Sequence, residues 1–205
     1  MTLILIALTA IISIVAFNRQ DIFSRLQFNA AQIYHRKEYY RLISHGFIHA
    51  DWVHLAVNMF VLFSFGQAVE EYFSQLKALG VIRYPHLVFL LLYLAGIIVS
   101  SLLTLYKERD NYYYNAVGAS GAVSAVVFTG IFFAPLQDIY FFAVLPIPGI
   151  VFAIFYLVYS HYMSRRSMDN INHDAHFIGA VFGFIFPIFL DFRLIEHFLN
   201  QLGIN

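Results

Sequence analysis

Ser120 lies in a stretch of small residues that would suit a nucleophile. Residues 115–125 contain two glycines, four alanines and two serines, where an apolar membrane helix would otherwise carry larger side chains. Gly118 and Gly121 leave the hydroxyl without bulky neighbours, and unpaired N–H groups at a helix N-terminus stabilise a developing negative charge. Ser120 is therefore a candidate nucleophile. The same stripe also fits packing between membrane helices, so the chemistry needs a base and an oxyanion donor elsewhere.

His176 is the candidate base. A serine hydroxyl is a weak nucleophile until a base takes its proton, and histidine can do this near neutral pH. Ala175, Gly179 and Gly183 form a smooth strip at helical spacing beside His176, matching the small face around Ser120. Close contact between the two faces would bring the imidazole within reach of the Ser120 Oγ atom.

His54 and Asn58 are candidate donors to an oxyanion. They lie four residues apart, so on a helix they point the same way. Removing one oxyanion donor typically costs ~2.7–4 kcal/mol of transition-state stabilisation. Each residue by itself has a simpler interpretation, because intramembrane histidine and asparagine often bond a neighbouring helix. Their role therefore depends on whether they meet Ser120 and His176.

The composition indicates a polytopic membrane protein. Of its 205 residues, 60% are hydrophobic and 12% are charged, whereas soluble domains have about 45–50% apolar and about 25% charged residues. Twelve Lys and Arg balance twelve Asp and Glu without a basic tract, which gives no indication of nucleic-acid binding. The chain has no cysteine, which excludes disulfides, thiolate metal sites and a cysteine nucleophile. The first apolar run lacks the basic n-region of a secretory signal, so we expect a retained first span.

Six apolar segments predict six membrane-spanning helices in a single domain, residues 1–205. The spans are expected at about residues 2–17, 52–73, 86–106, 116–134, 149–163 and 174–192. The segment between the first two spans mixes basic and aromatic side chains, which predicts a long, ordered interfacial loop over residues 18–51. Residues 135–148 are rich in proline and predict a turn region, and residues 193–205 predict a short tail.

The second, fourth and sixth spans cross the membrane in the same direction, because one return span separates each from the next. Their N-terminal ends must share a leaflet. The four polar candidates lie near those ends, and buried polar groups in a membrane usually face the bundle interior or a wet cavity. The topology therefore predicts that the serine, the two histidines and the asparagine meet.

At these residues the sequence resembles the rhomboid family of intramembrane serine proteases, over most of the chain. The matching pieces are Arg41-x3-His45-x3-His49-x4-His54-x3-Asn58, Ala68-Val69-Glu70, Gly118-Ala119-Ser120-Gly121 and Ala175-His176-x2-Gly179-x3-Gly183. Their combination on a six-span plan is specific, whereas Gly-x-Ser-Gly without the other pieces would not be.

The resemblance implies an all-α, polytopic fold with six transmembrane helices in a rhomboid-like bundle. It implies a dyad with Ser120 as nucleophile and His176 as base, and an oxyanion site made by His54, Asn58 and the Ser120 backbone N–H. Supporting roles are expected for Arg41, His45, His49, Glu70, Gly118, Gly121, Gly179 and Gly183.

The implied activity is cleavage of single-span or other transmembrane protein substrates within the lipid bilayer, without metal or cofactor. The implied location is a bacterial inner (plasma) membrane, with the active site opening to the extracytoplasmic side. The charge distribution points the other way, because the inside segments would then hold only Lys77, Arg83 and Arg193, the reverse of the positive-inside expectation. The expected orientation therefore follows the resemblance.

Two positions depart from the family pattern. The family often has Trp before the loop arginine, whereas Tyr40 precedes Arg41 here. Many members carry an aromatic residue four positions after the nucleophile, where it supports the base ring, but this chain has Ser124. We expect the Ser124 hydroxyl to bond the carbonyl of Ser120, one turn earlier. The support of His176 is left open.

Two other functions compete with the protease. His45, His49 and His54 are metal ligands by type, but the chain has no His-Glu-x-x-His and no nearby carboxylate to complete a hydrolytic zinc site. The first two histidines are expected to make structural bonds in the first loop. A rhomboid-like protein that binds membrane helices without cutting them would be expected to lack the serine or the histidine, and both are present.

Two residues close to His176 are alternatives for the proton chemistry. His173 is a rival base, but it lies outside the Ala-His-x2-Gly pattern. Asp174 is two residues from His176 and on a helix would face away from it. We therefore predict a dyad and not a triad.

Overall fold

The computed structural model describes residues 1–141, 144–166 and 171–204, in which helices predominate. The helices are α1 (Thr2–Asn18), α2 (Gln20–Leu26), α3 (Ala30–Arg36), α4 (Arg41–Ser44), α5 (Trp52–Ala78), α6 (Pro85–Glu108), α7 (Ser120–Phe133), α8 (Gly149–Ser164), α9 (His173–Leu190) and α10 (Leu194–Gln201). A 3-10 turn, His45–Phe47, follows α4, and a hairpin of β1 (Asp138–Phe141) and β2 (Leu145–Pro148) separates α7 from α8.

Three helices in the described part of the chain are long and apolar enough to cross a membrane: α5, α6 and α9. Three more, α1, α7 and α8, are apolar but shorter. At 1.5 Å per residue the 14 residues of α7 extend over roughly 21 Å, less than the ~30 Å of hydrocarbon. Almost all of its residues are buried, from Gly121 to Phe133. A helix that is apolar all round and buried is surrounded by protein.

The helices α5, α6 and α9 pack around α7, while α1 packs on α5 and α8 packs on α9. The large core side chains Phe73, Phe89 and Phe132 are almost fully buried in this bundle. The candidate residue Ser120 therefore begins the most enclosed helix of the fold.

The start of α7 differs from the predicted span. The sequence predicted a span from residue 116, but the helix begins at Ser120. Ala116 exchanges two backbone hydrogen bonds with Phe28, at 2.9 and 3.1 Å, and the φ angle of Gly118 is +115°. Residues engaged in a bridge to another segment and a backbone in the left-handed region cannot continue a helix, so the predicted start is wrong by one turn.

The segment between α1 and α5 is folded. Residues 20–47 form α2, α3, α4 and the 3-10 turn, and Phe28, Ala30 and Ile33 are buried in a small core of their own. Arg41 is buried too, and donates from Nη1 to the backbone carbonyls of Ser24 (2.9 Å) and Gln27 (2.8 Å). These bonds hold the end of α2 against α4.

The predicted turn region, of which residues 142 and 143 lie outside the described residues, contains a two-stranded antiparallel hairpin. Asp138 pairs with Pro148 and Phe141 with Leu145. Proline is tolerated in β2 because the hairpin leaves one strand edge unpaired. The prolines of this segment indicate a break between helices and carry no signal for strands, so the hairpin could not be predicted from the sequence.

The predicted tail contains a further helix, α10, that the sequence did not indicate; residue 205 lies outside the described residues. Leu194 is buried, and the Phe198 ring stacks on Phe132 with centroids 5.3 Å apart. The Nε2 atom of His197 lies 3.3 Å from the carbonyl oxygen of Phe133, the last residue of α7. An amphipathic helix thus covers the end of α7 that is remote from Ser120.

Candidate active site

Ser120 and His176 lie within hydrogen-bond distance of each other. The Nε2 atom of His176 is 2.7 Å from the Oγ atom of Ser120. Ser120 is the first residue of α7, and His176 lies in the first turn of α9. Both side chains are partly buried. The two helix starts therefore bring a hydroxyl and an imidazole together at the same end of the bundle.

Backbone contact between α7 and α9 sets this geometry. A Cβ atom added at Gly179 would collide with the carbonyl oxygen of Gly121, and one added at Gly183 would collide with the carbonyl oxygen of Ala125. We call these four residues the glycine seam. Because no side chain separates the helices along the seam, their axes approach more closely than larger residues would allow.

Two further contacts lock the seam. Thr129 donates from Oγ1 to the carbonyl oxygen of Gly183, at 2.8 Å. Toward α6, a Cβ atom at Gly96 would lie 3.0 Å from the Cα atom of Ala122. The helix that begins with Ser120 therefore contacts both α6 and α9 through small residues.

The segment that precedes Ser120 is held by the first loop. The N–H of Gly118 donates to the carbonyl oxygen of His45 at 2.9 Å, and the N–H of Ala119 donates to Nε2 of His49 at 3.4 Å. At Gly118 a Cβ atom would lie 2.6 Å from Cε1 of His54, and the φ angle of +115° disfavours other residues. Three loop or helix-start histidines thus surround the two residues before Ser120.

His49 links this segment to α1. Its Nε2 atom accepts from Ala119, so the hydrogen-bond network assigns the proton to Nδ1, which lies 3.0 Å from Ser13 Oγ. Ser13 in turn donates to the carbonyl oxygen of Phe47, at 3.0 Å. Burial lowers the pKa of His49 to about 3. The imidazole is therefore neutral at pH 7, as an acceptor for a backbone N–H must be.

His45 is also a neutral, buried side chain. Its Nδ1 atom lies 2.8 Å from the carbonyl oxygen of Arg41, to which it donates. Burial lowers its pKa to about 4. His45 and His49 thus both bond to backbone groups, and these bonds reach the residues that precede Ser120.

His54 and Asn58 occupy different places relative to Ser120. The His54 ring lies against Gly118, and its centroid is 5.0 Å from that of His49. Asn58 is buried one turn further along α5, where its Nδ2 donates to the carbonyl oxygen of His54 at 2.9 Å. The structure thus brings His54 to the segment that precedes Ser120, whereas Asn58 is bonded to the backbone of its own helix.

A small cavity opens beside Ser120. Its volume is ≈ 30 Å³, about that of one water molecule. The polar part of its lining is made by His45, Ser100, Ser101, Ser120 and Asn172. A polar cavity of this size suits a water molecule next to the hydroxyl. The N–H groups in the first turn of α7 lie at the same end of the helix as Ser120, and they lack acceptors within the helix.

Tyr156 is a site residue that the sequence did not indicate. Its hydroxyl lies 2.6 Å from Ser124 Oγ, and its ring is stacked near His176 with centroids 6.4 Å apart and planes at 17°. The hydrogen bond expected from Ser124 to the carbonyl of Ser120 is therefore replaced by a bond to another helix. Tyr156 lies in an apolar segment with several other aromatic residues, so no spacing signal distinguishes it in the sequence.

The neighbours of His176 have their own contacts. The His173 ring is buried, 5.9 Å from the His176 ring and edge-on to Tyr159. Asp174 pairs with Lys107 of α6, with Oδ2 2.7 Å from Nζ. The carboxylate thus points toward α6.

Two of the expected supporting residues lie away from the dyad. Arg41 pairs through Nε with Glu38, at 2.6 Å, and this bond holds the pKa of the glutamate below its usual range. Glu70, near the far end of α5, accepts from the backbone N–H of Thr2 at 3.0 Å and lies 3.1 Å from Nδ1 of His86. It ties the starts of α1 and α6 to α5.

The described residues contain no group of three or more His, Cys, Asp or Glu side chains arranged to hold a metal ion. The candidate ligands have other partners, since His45 donates to a carbonyl and both ring nitrogens of His49 lie within hydrogen-bond distance of protein atoms.

Comparison with known proteins matches residues 36–191 to the Rhomboid domain. The chain is also 29% identical, over 154 residues, to RHOMBOID-like protein 12, mitochondrial, of Arabidopsis thaliana. That alignment covers 68% of this chain and 43% of the relative, so the chain spans less than half of the relative's length. The domain match extends over most of the chain and contains the first-loop histidines, the glycine seam, Ser120 and His176. The resemblance predicted from the sequence is confirmed, and the chain belongs to the rhomboid family.

Proposed function

We propose that the protein is an intramembrane serine endopeptidase that hydrolyses peptide bonds in or near transmembrane segments of membrane-protein substrates. The observation that carries the proposal is the 2.7 Å distance between Nε2 of His176 and Oγ of Ser120, at two helix starts joined by the glycine seam. Membership of the rhomboid family supports the same activity.

The first half of the proposed reaction forms an acyl-enzyme. His176 takes the Oγ proton while the oxygen attacks the scissile carbonyl carbon. Negative charge then develops on the carbonyl oxygen, and the backbone N–H of Ser120 and the His54 ring are the nearest candidate donors for it. We also assign Asn58 to this site, which requires its amide to turn from the His54 carbonyl when substrate binds. His176 returns the proton to the leaving amine as the C–N bond breaks.

The second half releases the new carboxyl terminus. His176 takes a proton from water, whose oxygen attacks the acyl carbon, and the proton returns to Ser120 as the ester bond breaks. The polar cavity of ≈ 30 Å³ beside Ser120 supports this step, because it could supply water to a site enclosed by helices. His45 and Asn172 would hold that water near the acyl group.

The chain would cross the membrane six times, through α1 and α5 to α9. Three of these helices have the length and hydropathy of full spans and three are shorter. The short α7 fits this arrangement, because the enclosing helices replace lipid around it and Ser120 then lies below the membrane surface. The spans, the first loop and the tail would form a single rhomboid-like domain.

The proposed location is a bacterial inner membrane, with Ser120 facing the extracytoplasmic side; the relative is named as a mitochondrial protein. The natural absence of cysteine allows a clean test of orientation. Tyr113→Cys places a thiol beside the active end, where Tyr113 is 95% exposed, and Leu79→Cys places one at the opposite end, where Leu79 is 77% exposed. In intact cells, an impermeant maleimide should label only the cysteine at position 113. Labelling of position 79 instead would reverse the orientation.

Substrates should present an extended peptide near the outer end of their membrane span. An intact helix hides its carbonyls in i→i−4 bonds, and Gly or Pro weakens it by ~1 or ~3 kcal/mol relative to Ala. Small residues around Ser120 favour a small residue at the scissile bond. A matched pair of single-span substrates, one with Gly and Pro changed to Leu, should differ in turnover at equal membrane insertion. Equal rates would contradict helix unwinding as the basis of selection.

The activity is tested with purified protein in liposomes and a generic single-span substrate. Ser120→Ala and His176→Ala should each abolish cleavage, while Ser64→Ala, which changes an exposed serine of α5, should cleave normally. A phosphonylating probe should label Ser120. Circular dichroism checks that the inactive variants remain folded. Absence of cleavage by the unaltered protein, or full activity of either dyad variant, would overturn the proposal and favour a family member that binds membrane helices without cutting them.

A further inference from the structure

We propose that Tyr156 is a positioning residue that holds the imidazole of His176 in line with Ser120, and that Ser124 fixes Tyr156 in place. The inference rests on the proposed function, since it assigns the orientation of the base to a third helix. It answers how His176 is supported when Ser124 occupies the position one turn after the nucleophile.

The Tyr156 and His176 rings lie close together with nearly parallel planes. The centroids of Tyr156 and His176 are 6.4 Å apart and the planes are inclined by 17°. Aromatic pairs with centroids 4.5–7 Å apart and offset stacking are favourable. The phenol ring therefore offers a flat surface parallel to the imidazole, on the side of His176 that faces α8.

The phenol ring is fixed at its hydroxyl end and along its sides. The Tyr156 hydroxyl lies 2.6 Å from Ser124 Oγ. The rings of Phe128 and Phe152 pack against the Tyr156 ring, with centroids 5.4 and 5.7 Å away. A tyrosine side chain has only two χ angles, so these contacts leave it little freedom. Tyr156 can therefore transmit a fixed orientation to its neighbour.

The contacts that support His176 form a closed ring that includes α7, the helix of Ser120. Ser120 and Ser124 are one turn apart on α7 and share a face. Starting from Ser120, the path runs along α7 to Ser124, across to Tyr156, on to His176 and back to Ser120. The nucleophile and the support of its base are thus anchored on the same helix, so a shift of α7 moves both together.

His176 needs such a support because the glycine seam does not orient its ring. The seam fixes the distance between two backbones, whereas the terminal torsion of a histidine is broad. Rotation about that torsion would carry Nε2 away from Ser120 without moving either helix. A misplacement of about 1 Å in an active site can cost about 10²-fold in rate. Tyr156 therefore restricts the ring torsion of His176, which the seam leaves undetermined.

The first test removes the ring. Tyr156→Leu should lower kcat by about 10- to 100-fold with KM changed by less than about threefold, because the base is misplaced but the substrate still binds. The matched control is Phe155→Leu, the same kind of change on the adjacent residue, whose ring is 69% exposed. Its kcat should be unaltered. A Tyr156→Leu variant that is folded and has kcat within twofold of the unaltered protein would overturn the inference.

The second test separates positioning from packing of α8, which buries only Gly149, Ala153 and Ser160 along its length. Tyr156→Phe keeps the ring and loses the bond to Ser124, and Ser124→Ala loses the same bond from the other side. Each should lower kcat by roughly threefold, and the double variant should be no worse than either single variant. Effects that multiply would mean that the two residues act independently, which contradicts the inference.

A measurement without substrate keeps the inference separate from the proposed function. Ring signals of His176, assigned with His176→Gln, can be followed by NMR on ¹³C,¹⁵N-histidine protein in detergent. In the unaltered protein they should report a rigid ring, and in Tyr156→Leu a mobile one, with no change in Phe155→Leu. A protein that does not cleave but shows this difference would lose the proposed function and keep the positioning role. Equal mobility in all three proteins would remove the positioning role, whatever the activity.

Discussion

The two sides of Ser120 are built in different ways. Toward α9, backbone meets backbone along the glycine seam, where Gly179 and Gly183 leave no room for a Cβ atom. Toward the first loop, the backbone N–H groups of Gly118 and Ala119 donate to the carbonyl oxygen of His45 and to the ring of His49, and these bonds hold the residues before Ser120. A contact between two backbones cannot accommodate an added atom. A hydrogen-bonded contact can lose one bond at a time, and it depends on pH where a histidine takes part. This difference predicts how each side responds to substitution.

The largest effect is expected at the seam. Gly179→Ala would place a Cβ atom against the carbonyl oxygen of Gly121, which cannot rotate away. We expect a loss of about 1–3 kcal/mol in the free energy of unfolding and at least about 100-fold in kcat, since α9 must move and take His176 with it.

The matched control for the seam is Gly130→Ala in α7. Its added Cβ atom would meet Phe65 at 3.6 Å and Val69 at 3.7 Å, which is ordinary van der Waals contact. Stability should stay the same or rise by up to about 1 kcal/mol, because alanine favours helix. Thermal unfolding and substrate cleavage measure both variants. If the two variants behaved alike, close backbone approach would not be what holds the dyad.

A smaller effect is expected at Gly118, on the loop side. Gly118→Ala combines a φ angle of +115° with a Cβ atom 2.6 Å from the His54 ring. The segment can yield by displacing His54, so we expect kcat to fall by about tenfold and stability by about 1–2 kcal/mol. Gly80→Ala is the control, because Gly80 also has a positive φ, +72°, but faces open space. It should lose stability and keep full activity, measured as cleavage per folded molecule.

The loop side should also respond to acid. The pKa of His45 is lowered to about 4 and that of His49 to about 3, both by burial, whereas an unfolded histidine has a pKa of about 6.5. Between pH 6.5 and 4 the unfolded chain therefore binds protons that the folded chain does not. Stability from these histidines is complete above pH 6.5 and falls by about 1.4 kcal/mol per pH unit for each of them as the pH drops.

His49→Gln tests this dependence. The variant should be less stable at pH 7, because Gln fits the bonds to Ala119 and Ser13 poorly. Below pH 6.5 its free energy of unfolding should nevertheless fall less steeply with pH than that of the unaltered protein, because one histidine fewer takes up a proton on unfolding. Ser13→Ala, which keeps the imidazole, should retain the steeper slope. Unfolding in detergent at a series of pH values gives both slopes, and a parallel pair of curves for His49→Gln and the unaltered protein would contradict a buried neutral His49.

The smallest effect is expected outside both contacts. The ion pair of Asp174 and Lys107 is partly exposed, and such pairs contribute about 0–1 kcal/mol. Asp174→Asn should therefore change stability by less than about 1 kcal/mol and leave kcat within twofold. A drop of 100-fold in kcat would instead indicate that Asp174 acts with His176, and the predicted dyad would become a triad.

Much of the helical layout could be predicted from the sequence, because apolar segments of membrane length carry a strong signal. The ends of the segments were harder. The first turn of the expected fourth span is pulled out of the helix by Phe28 and His45, which lie far away in the chain. Such a long-range bridge leaves no local periodicity. The helix α10 was missed for a different reason, since it is too short and polar to resemble a span.

The candidate site was predicted in part. Small residues at helical spacing indicated the seam, and topology placed the serine and histidine at one end of the bundle. The role of Tyr156 could not be predicted, since an aromatic residue in an apolar span has no polar signature. The bond from the Ala119 N–H to His49 could not be predicted for a related reason. The sequence shows a histidine in a loop, but only the fold shows which backbone N–H it reaches.

The glycine seam also has a consequence for disorder within the fold. Glycine and alanine have no side-chain rotamers, so joining α7 to α9 along Gly121, Ala125, Gly179 and Gly183 freezes no χ angle. Elsewhere in the bundle, phenylalanine and leucine side chains lie between the helices and can exchange rotamers as the temperature rises. The residues of the seam have no side-chain rotamers that could exchange. The spacing of the two helices that carry Ser120 and His176 therefore has no conformational degree of freedom other than the motion of the helices themselves.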